Sequence, residues 1–455
     1  MSLTKVFNRM IGGSSANVLD FGAVGDGVTD DSAAIQAAFD SGAKEVILPT
    51  GTFLFGTTSS NYINLTAAHN GVTFRGAGGA LKMAANTPLP SSRSALQIEN
   101  AQDILITNIR YDGNAANNTD DTLSITGLVG FSNVRFSDGI VFAENFIENS
   151  NNNGVYFTDG TKRGVCVNNV FKNCFGTEMR VGLPNGSIVA EGIFVGNTVI
   201  LDINVHPGVP KQDGMLAVRW GGDAVFTGNK LVVSSAVTDT PASLIWIAQC
   251  RRVIISDNEV VSEVNASYAI QGNITANAQE IIVRGNNFKT AQGILFTDGG
   301  GAARTAGSII IEGNYIKAAS QDGIIVRNTI GFTVEKTIIS NNVIEYQNGY
   351  AIQCEVGKAV VSANRIKRNG GSHCIFVAGE NNVVDANVID VGAATNRGIE
   401  IYATDSIISG NRVYNYTGTP IREQAPANWN LIHGNHTKGG TITAIGANTV
   451  LADNI

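Results

Sequence analysis

The chain is short of charge. Asp, Glu, Lys and Arg make up only 15% of its 455 residues, well below the roughly 25% of an ordinary globular protein. Disorder requires the opposite balance, high charge and few apolar residues, and here 43% of residues are hydrophobic. A coiled coil would be rich in Ala, Glu, Lys and Leu, and this chain is not. Proline occurs 9 times and cysteine 5 times. An odd cysteine count without CxxC spacing argues against a disulfide framework or a zinc site, so Cys166, Cys174, Cys250, Cys354 and Cys374 are expected as buried, reduced thiols. No basic block exists and the net charge is −7, which argues against nucleic acid as a partner. No run approaches the length of a membrane-spanning helix, so no membrane insertion is expected. Residues 1–13 carry Lys5 and Arg9 but no apolar core segment, so no secretory signal is read there. An extracellular role would then use another exit route, such as release on a virus particle.

Glycine and asparagine, by contrast, are abundant, with 52 and 48 copies. Together with β-branched residues they point to many short strands joined by tight turns. A short pattern recurs along the chain: β-branched residues, a small or polar residue, Asn, then another apolar residue. It reads IFVGNTV at 193–199, IIVRGNNF at 281–288, IIIEGNYI at 309–316, VVSANRI at 360–366 and IISGNRV at 407–413. The repeated asparagines run from Asn108 and Asn145 through Asn314 and Asn342 to Asn435 and Asn454. Most are 22–28 residues apart, which is one turn of a parallel β-solenoid with about three strands per coil. Asn suits this step because it tolerates a left-handed turn and because stacked amides can bond to one another as a ladder. A second strand follows each Asn, as in GVYF at 154–157, GIIV at 323–326, HCIFV at 373–377 and GIEIY at 398–402. The expected fold is all-β: a right-handed parallel β-helix of about 13 coils in one domain.

Residues 17–76 depart from the repeat. A strand and a Gly-rich loop lead to Asp30, a good helix N-cap, and a helix-forming run from Asp31 to Phe39. Strand returns at Val46–Leu48. A solenoid's first coil exposes an apolar end, and this amphipathic helix is suited to cap it. Gly22, Gly25, Asp26 and Gly27 match neither phosphate-loop spacing, and Asp26, Asp30 and Asp31 lack an EF-hand ligand series.

VLDFGAVGDGVTDDSAAIQAAF followed by VILPTGTF resembles the opening of the pectate-lyase-like right-handed parallel β-helix superfamily. TKVFNRMIGGSSANVLDFGA looks like the start of many bacteriophage tailspikes and tail-fibre depolymerases, and IRYDGNAANNT at 109–119 is similar to a segment such proteins often carry. The resemblance implies a trimeric, virion-attached protein that cleaves or binds a bacterial surface glycan, joined to the phage tail or baseplate through its N-terminus. The organisation expected is an attachment stub over 1–16, a cap with first coils over 17–76 and the β-helix over 77–455. No cofactor or metal is expected.

Loop length points to a site. The stretch from the repeat Asn to the next strand is 17 residues at Asn197–Gly214 and about 14 from Asn229 to Ser243, against 7 at Asn286–Gly293. Long loops on a rigid scaffold usually carry function. By alternation, the outward residues beneath them include Tyr156, Glu178, Arg180, Arg219 and Trp246, with Trp220 and His206 nearby. Aromatic rings stack on sugar faces while carboxylates and guanidinium groups bond hydroxyls. Hydrolysis needs two carboxyl groups about 5–10 Å apart. Glu178 with Asp213 is the first choice, and Asp223 and Asp239 are further candidates. Elimination would instead need a base and an arginine, which Tyr156, His206, Lys211 and Arg219 could supply. The leading expectation is a tailspike-type depolymerase acting by glycoside hydrolysis, with a polysaccharide lyase or uronate epimerase, or a non-catalytic receptor-binding spike, as alternatives. The outward column at Leu295, Ile325 and Phe376 or Cys374 reads as a dry stripe along which a homotrimer would pack.

Overall fold

The computed structural model describes residues 14–60, 62–87, 94–118, 130–182, 189–205, 214–219, 222–239, 241–264, 267–274, 280–298, 304–318, 320–327, 332–368, 373–394, 397–438 and 440–455. The attachment stub expected over 1–16 therefore lies almost wholly outside the described residues. Every strand pairing given is parallel, and the coils form the right-handed solenoid of about 13 turns that the repeat predicts. The chain divides into two compact units, residues 1–241 and residues 242–455.

Each coil is built alike. Two short strands meet at the repeat Asn, and a third lies on the opposite sheet. In the first unit, Val141–Ala143 and Phe146–Glu148 flank Asn145, and Val155–Thr158 forms the opposite side. In the second, Ala359–Ser362 and Arg365–Arg368 flank Asn364, and His373–Glu380 lies opposite. The side chains that alternate inward fill the solenoid. In the first unit these include a ring-to-ring chain, Tyr111–Phe131–Phe142–Phe157–Phe194–Phe226, with centroids 4.9–6.1 Å apart. In the second they are mostly Ile and Val.

The asparagine ladder is present and buried. Asn314 donates through Nδ2 to the Val283 carbonyl at 2.9 Å and to Asn342 Oδ1 at 3.0 Å, and its own Oδ1 accepts from the Asn286 backbone N–H and side chain. Two details differ from the sequence reading. The left-handed residue is the one before each ladder Asn, such as Gly313, Asn341, Ala363 and Ala386. Asn108 is itself such a residue, and Ile109 holds the ladder position there, its N–H donating to Asn145 Oδ1. A second ladder of Asn382, Ser406 and Asn430 supports the last coils.

The cap helix spans Ser32–Asp40 and buries Ile35, Ala38 and Phe39. Asp30 Oδ1 accepts the Ser32 N–H at 2.9 Å, while Asp31 is turned away and holds the Val24 and Gly25 N–H groups. Asp26 accepts the Val28 and Thr29 N–H groups. These three carboxylates are thus spent on closing turns. All five cysteines are buried and free of disulfides.

Candidate functional site

The residues expected to form a groove over 156–246 are only partly brought together. Tyr156 and Arg180 are register partners on the third strands of neighbouring coils. The Arg180 guanidinium sits 4.7 Å over the Tyr156 ring, and the Tyr156 hydroxyl donates to the Gly182 carbonyl at 2.8 Å. Arg219 is half-buried two positions beyond Ala217, the partner of Arg180, and so stands in the next column. Trp246 is half-buried in the second unit, on Ser243–Ala248 opposite Gln271. His206, Lys211, Asp213 and Trp220 lie outside the described residues.

The carboxylates do not line such a groove. Glu178, expected outward, has no exposed surface. It precedes the strand Met179–Val181 at a corner packed against Gly154 of the neighbouring coil, where its carbonyl accepts the Val155 N–H at 2.8 Å. Asp223 starts the strand Asp223–Thr227 on the other sheet, paired with Glu191 and 8% exposed. Asp239 lies where the two insertions meet: Asn204 Oδ1 accepts the Thr238 and Asp239 N–H groups.

A denser constellation lies in the second unit, on the outward face of its third strands. Register places Trp246, Gln271, Leu295, Ile325, Gln353, Phe376, Glu400 and Arg422 in one column. This corrects the dry stripe expected there. Ile325 is 2% exposed, Cys374 is fully buried, and beyond Ile325 the column sets Phe376 among Gln353, Glu400 and Arg422.

Three features define this face. The first is aromatic. Tyr350 stacks on His373 at 5.4 Å with an interplanar angle of 16°, meets Phe376 edge-on at 5.6 Å, and Phe376 meets Tyr402 at 5.2 Å. The second is ionic. Glu400, 3% exposed, is held by Arg397 and lies 2.9 Å from His373 Nε2. One coil pair earlier, Arg327 donates to Gln353 Oε1 at 3.0 Å, and the Gln353 amide donates to Glu355. The third is titration. Burial, with the charges of Arg397, Arg368 and Arg422, lowers His373 to about 4, so its imidazole is neutral at pH 7 and Nε2–H donates to Glu400. Burial raises the Asp322 carboxyl, although its Oδ1 accepts the Tyr350 N–H at 2.6 Å. The hydroxyls of Tyr268 and Tyr350 are pushed up by burial first and then by the charge of Asp322.

The chemistry available on this face is rings to stack on, a carboxyl group biased toward its protonated form, a neutral imidazole and several guanidinium groups. Sequence reasoning missed it because it followed loop length. The alternation that placed Leu295 and Ile325 outward also places Gln353, Phe376, Glu400 and Arg422 outward.

No curated protein sequence matches this chain significantly. Among solved structures, the Yersinia enterocolitica family 28 exopolygalacturonase is 14% identical over 94% of this chain and 78% of that one, with a TM-score of 0.44. PfbA, a surface adhesin of Streptococcus pneumoniae, is 14% identical over 91% of this chain and 92% of that one, with a TM-score of 0.38. The catalytic unit of the GH87 alpha-1,3-glucanase of Streptomyces thermodiastaticus is 13% identical over 97% of this chain and 69% of that one, with a TM-score of 0.39. Family models match in two segments: "rhamnogalacturonase A/epimerase, pectate lyase-like" over residues 15–206 and "right handed beta helix region" over residues 305–455. By its strand order and these segments, the chain is a right-handed parallel β-helix whose first part is similar to the pectate-lyase-like proteins.

Proposed function

We propose that this chain is a polysaccharide-acting β-helix protein of the phage tailspike type, which holds a bacterial surface glycan on the outward face of residues 268–424 and cleaves it. The observation that carries the reading is the aromatic run Tyr350–Phe376–Tyr402 bordered by the Arg397–Glu400–His373 network. Pyranose rings stack on such surfaces, and fixed charged groups beside them orient the hydroxyl and carboxyl substituents. The match of residues 15–206 to a pectate-lyase-like family model supports a glycan as substrate. Asp322, raised by burial, is the best-placed proton donor on the face, and hydrolysis is the leading reaction. Elimination is the second reading, because Arg397 and Arg422 lie beside the aromatic run where they would neutralise a sugar carboxylate.

The test is a panel of purified bacterial capsules, exopolysaccharides and O-antigens incubated with the protein. New reducing ends without an ultraviolet-absorbing product are expected for hydrolysis, and an unsaturated product for elimination. Binding without cleavage would reduce the protein to an adhesin. Neither binding nor cleavage of any glycan would overturn the reading.

A further inference from the structure

We propose, on the reading that the outward face of the third strands holds a glycan, that the first three coils of residues 242–455 form a subsite for uncharged sugars only. The glycan taken is then a mixed one, with neutral residues over Trp246, Gln271 and Leu295 and an acidic residue at Arg397 and Arg422.

Two further columns flank the one from Trp246 to Arg422. On one side Tyr268 and Gln292 lead to Asp322, Tyr350, His373 and Arg397. On the other, Asn273 and Thr297 lead to Arg327 and Glu355. Charge is spread unevenly along them. Over the first three coils, as far as Thr297, the side chains in all three columns are uncharged, and the charged groups of the face begin at Asp322 and Arg327.

The uncharged end is short of hydrogen-bond partners. Trp246 Nε1, Gln271 Oε1 and Gln292 Oε1 are buried and make no hydrogen bond among the described residues. Trp246 and Gln271 are register neighbours, a donor beside an acceptor, yet they do not bond to each other. A hydroxyl group accepts from one and donates to the other at once. Buried polar groups left unpaired destabilise a fold, and an uncharged sugar brings hydroxyls to pair them while its ring lies on the Trp246 indole or the Tyr268 phenol. The Tyr268 hydroxyl keeps its proton, since burial and then the charge of Asp322 push it up, so it too is a neutral partner. A carboxylate here would lose water and gain no cation.

The far end has the opposite need. Glu400 pairs with Arg397, and no ion pair among the described residues engages Arg422. Arg397 and Arg422 crowd each other: burial first, and then the charge of Arg422, lower Arg397. An acidic sugar supplies the missing negative charge. Register sets Trp246 seven steps of about 4.8 Å from Arg422, about 34 Å in all. Asp322, the proposed proton donor, stands three steps from the coil of Trp246 and three from Arg397. The bond cut there has uncharged sugars on one side and the acidic sugar on the other. A polymer of uronic acids alone does not fit, because its carboxylates would fall on the uncharged coils.

The panel of bacterial glycans, sorted by composition, tests this on the full chain, with polygalacturonate as an all-acidic polymer and dextran as a neutral one. Polysaccharides that mix neutral and acidic sugars are expected to be cleaved, and polygalacturonate and dextran left whole. Affinity for the polysaccharide that is cleaved is then measured by isothermal titration in an Asp322→Asn background, which keeps it intact. Trp246→Ala should weaken binding about tenfold, the scale of one lost stacking contact, and Gln271→Leu about fivefold. Reducing the carboxyl groups of the same polysaccharide to alcohols should weaken binding about tenfold by removing the partner of Arg422. Cleavage of polygalacturonate or dextran would overturn the subsite. So would an affinity indifferent to Trp246 and Gln271 while Phe376→Ala still lowers it, a result that leaves the proposed function standing. Binding of no glycan at all overturns both. Should Trp246→Ala unfold the chain, Gln271→Leu decides.

Discussion

The two units place their ring-to-ring contacts on opposite sides of the coil wall. In residues 1–241 the ring-to-ring chain from Tyr111 to Phe226 runs inside the coils, and its members are fully buried. In residues 242–455 the ring contacts among the described residues run outside, from His373 and Tyr350 to Phe376 and Tyr402, over an interior mostly of Ile and Val in which Phe288, Phe296 and Tyr346 are buried. An inward ring is explained by packing, because it removes large apolar area from water. An outward ring held beside a buried ionic network needs a different explanation, and a glycan provides one. The first unit has the long insertions and the second the tighter coils, so loop length and chemistry point to different places. The contrast teaches that a short coil is the better platform here: register repeats without interruption, and neighbouring side chains line up into a continuous surface.

The strongest way to break the contrast is at Glu400. Glu400→Ala leaves Arg397 and His373 without their shared carboxylate in a nearly closed position, which should cost about 3–5 kcal/mol of stability. Glycan turnover should fall about a hundredfold or more even at temperatures where the variant stays folded. Thermal unfolding and reducing-end release measured together separate the two effects. Next in size is the ladder, a feature of the scaffold and not of the site. Asn314→Ala removes the side chain from four hydrogen bonds in the interior and should cost roughly 1–3 kcal/mol by denaturant unfolding, with glycan cleavage unchanged under native conditions.

A paired substitution sharpens the comparison directly. Phe376→Ala should weaken oligosaccharide binding about tenfold, the scale of one lost stacking contact. Tyr156→Ala in the first unit should leave binding unchanged, because Arg180 covers that ring and Gly182 takes its hydroxyl. Isothermal titration of both variants provides the check. The last test concerns pH dependence, where an effect is expected only below pH 7. His373 is lowered to about 4 in the fold, from 6.5 as the ordinary value. As pH falls below about 6.5 the unfolded chain takes up this proton before the folded one does, so stability rises with pH across the window from about 4 to about 6.5. His373→Asn should flatten that slope, read as melting temperature against pH, and should leave stability above pH 7 little changed.

The solenoid was legible because its cause is local and repeated. Each coil shows β-branched residues, a turn residue and Asn at nearly constant spacing, and the ladder that follows needs no distant information. The cap helix was legible for the same reason, within one residue at each end. The site was less so. Whether Glu178 faces water depends on the corner it occupies and on Gly154 of another coil, and alternation counted from the strand centre does not report that. Glu400 and His373 are 27 residues apart and meet only because His373 pairs with Arg397 across the sheet. That register could have been counted from the repeat asparagines, since Asn364, Asn387 and Asn411 mark steps of 23 and 24 residues. Following the outward column past Phe376 would have reached Glu400 and Arg422.

The most direct test of the central claim is a crystal structure of the protein with the oligosaccharide released from whichever bacterial glycan it degrades. The account predicts sugar rings stacked along Tyr350, Phe376 and Tyr402, with substituents reaching Arg397, Glu400 and Arg422. An oligosaccharide seated instead on Tyr156, Arg180 and Arg219, with the face of residues 350–422 bare, would contradict it.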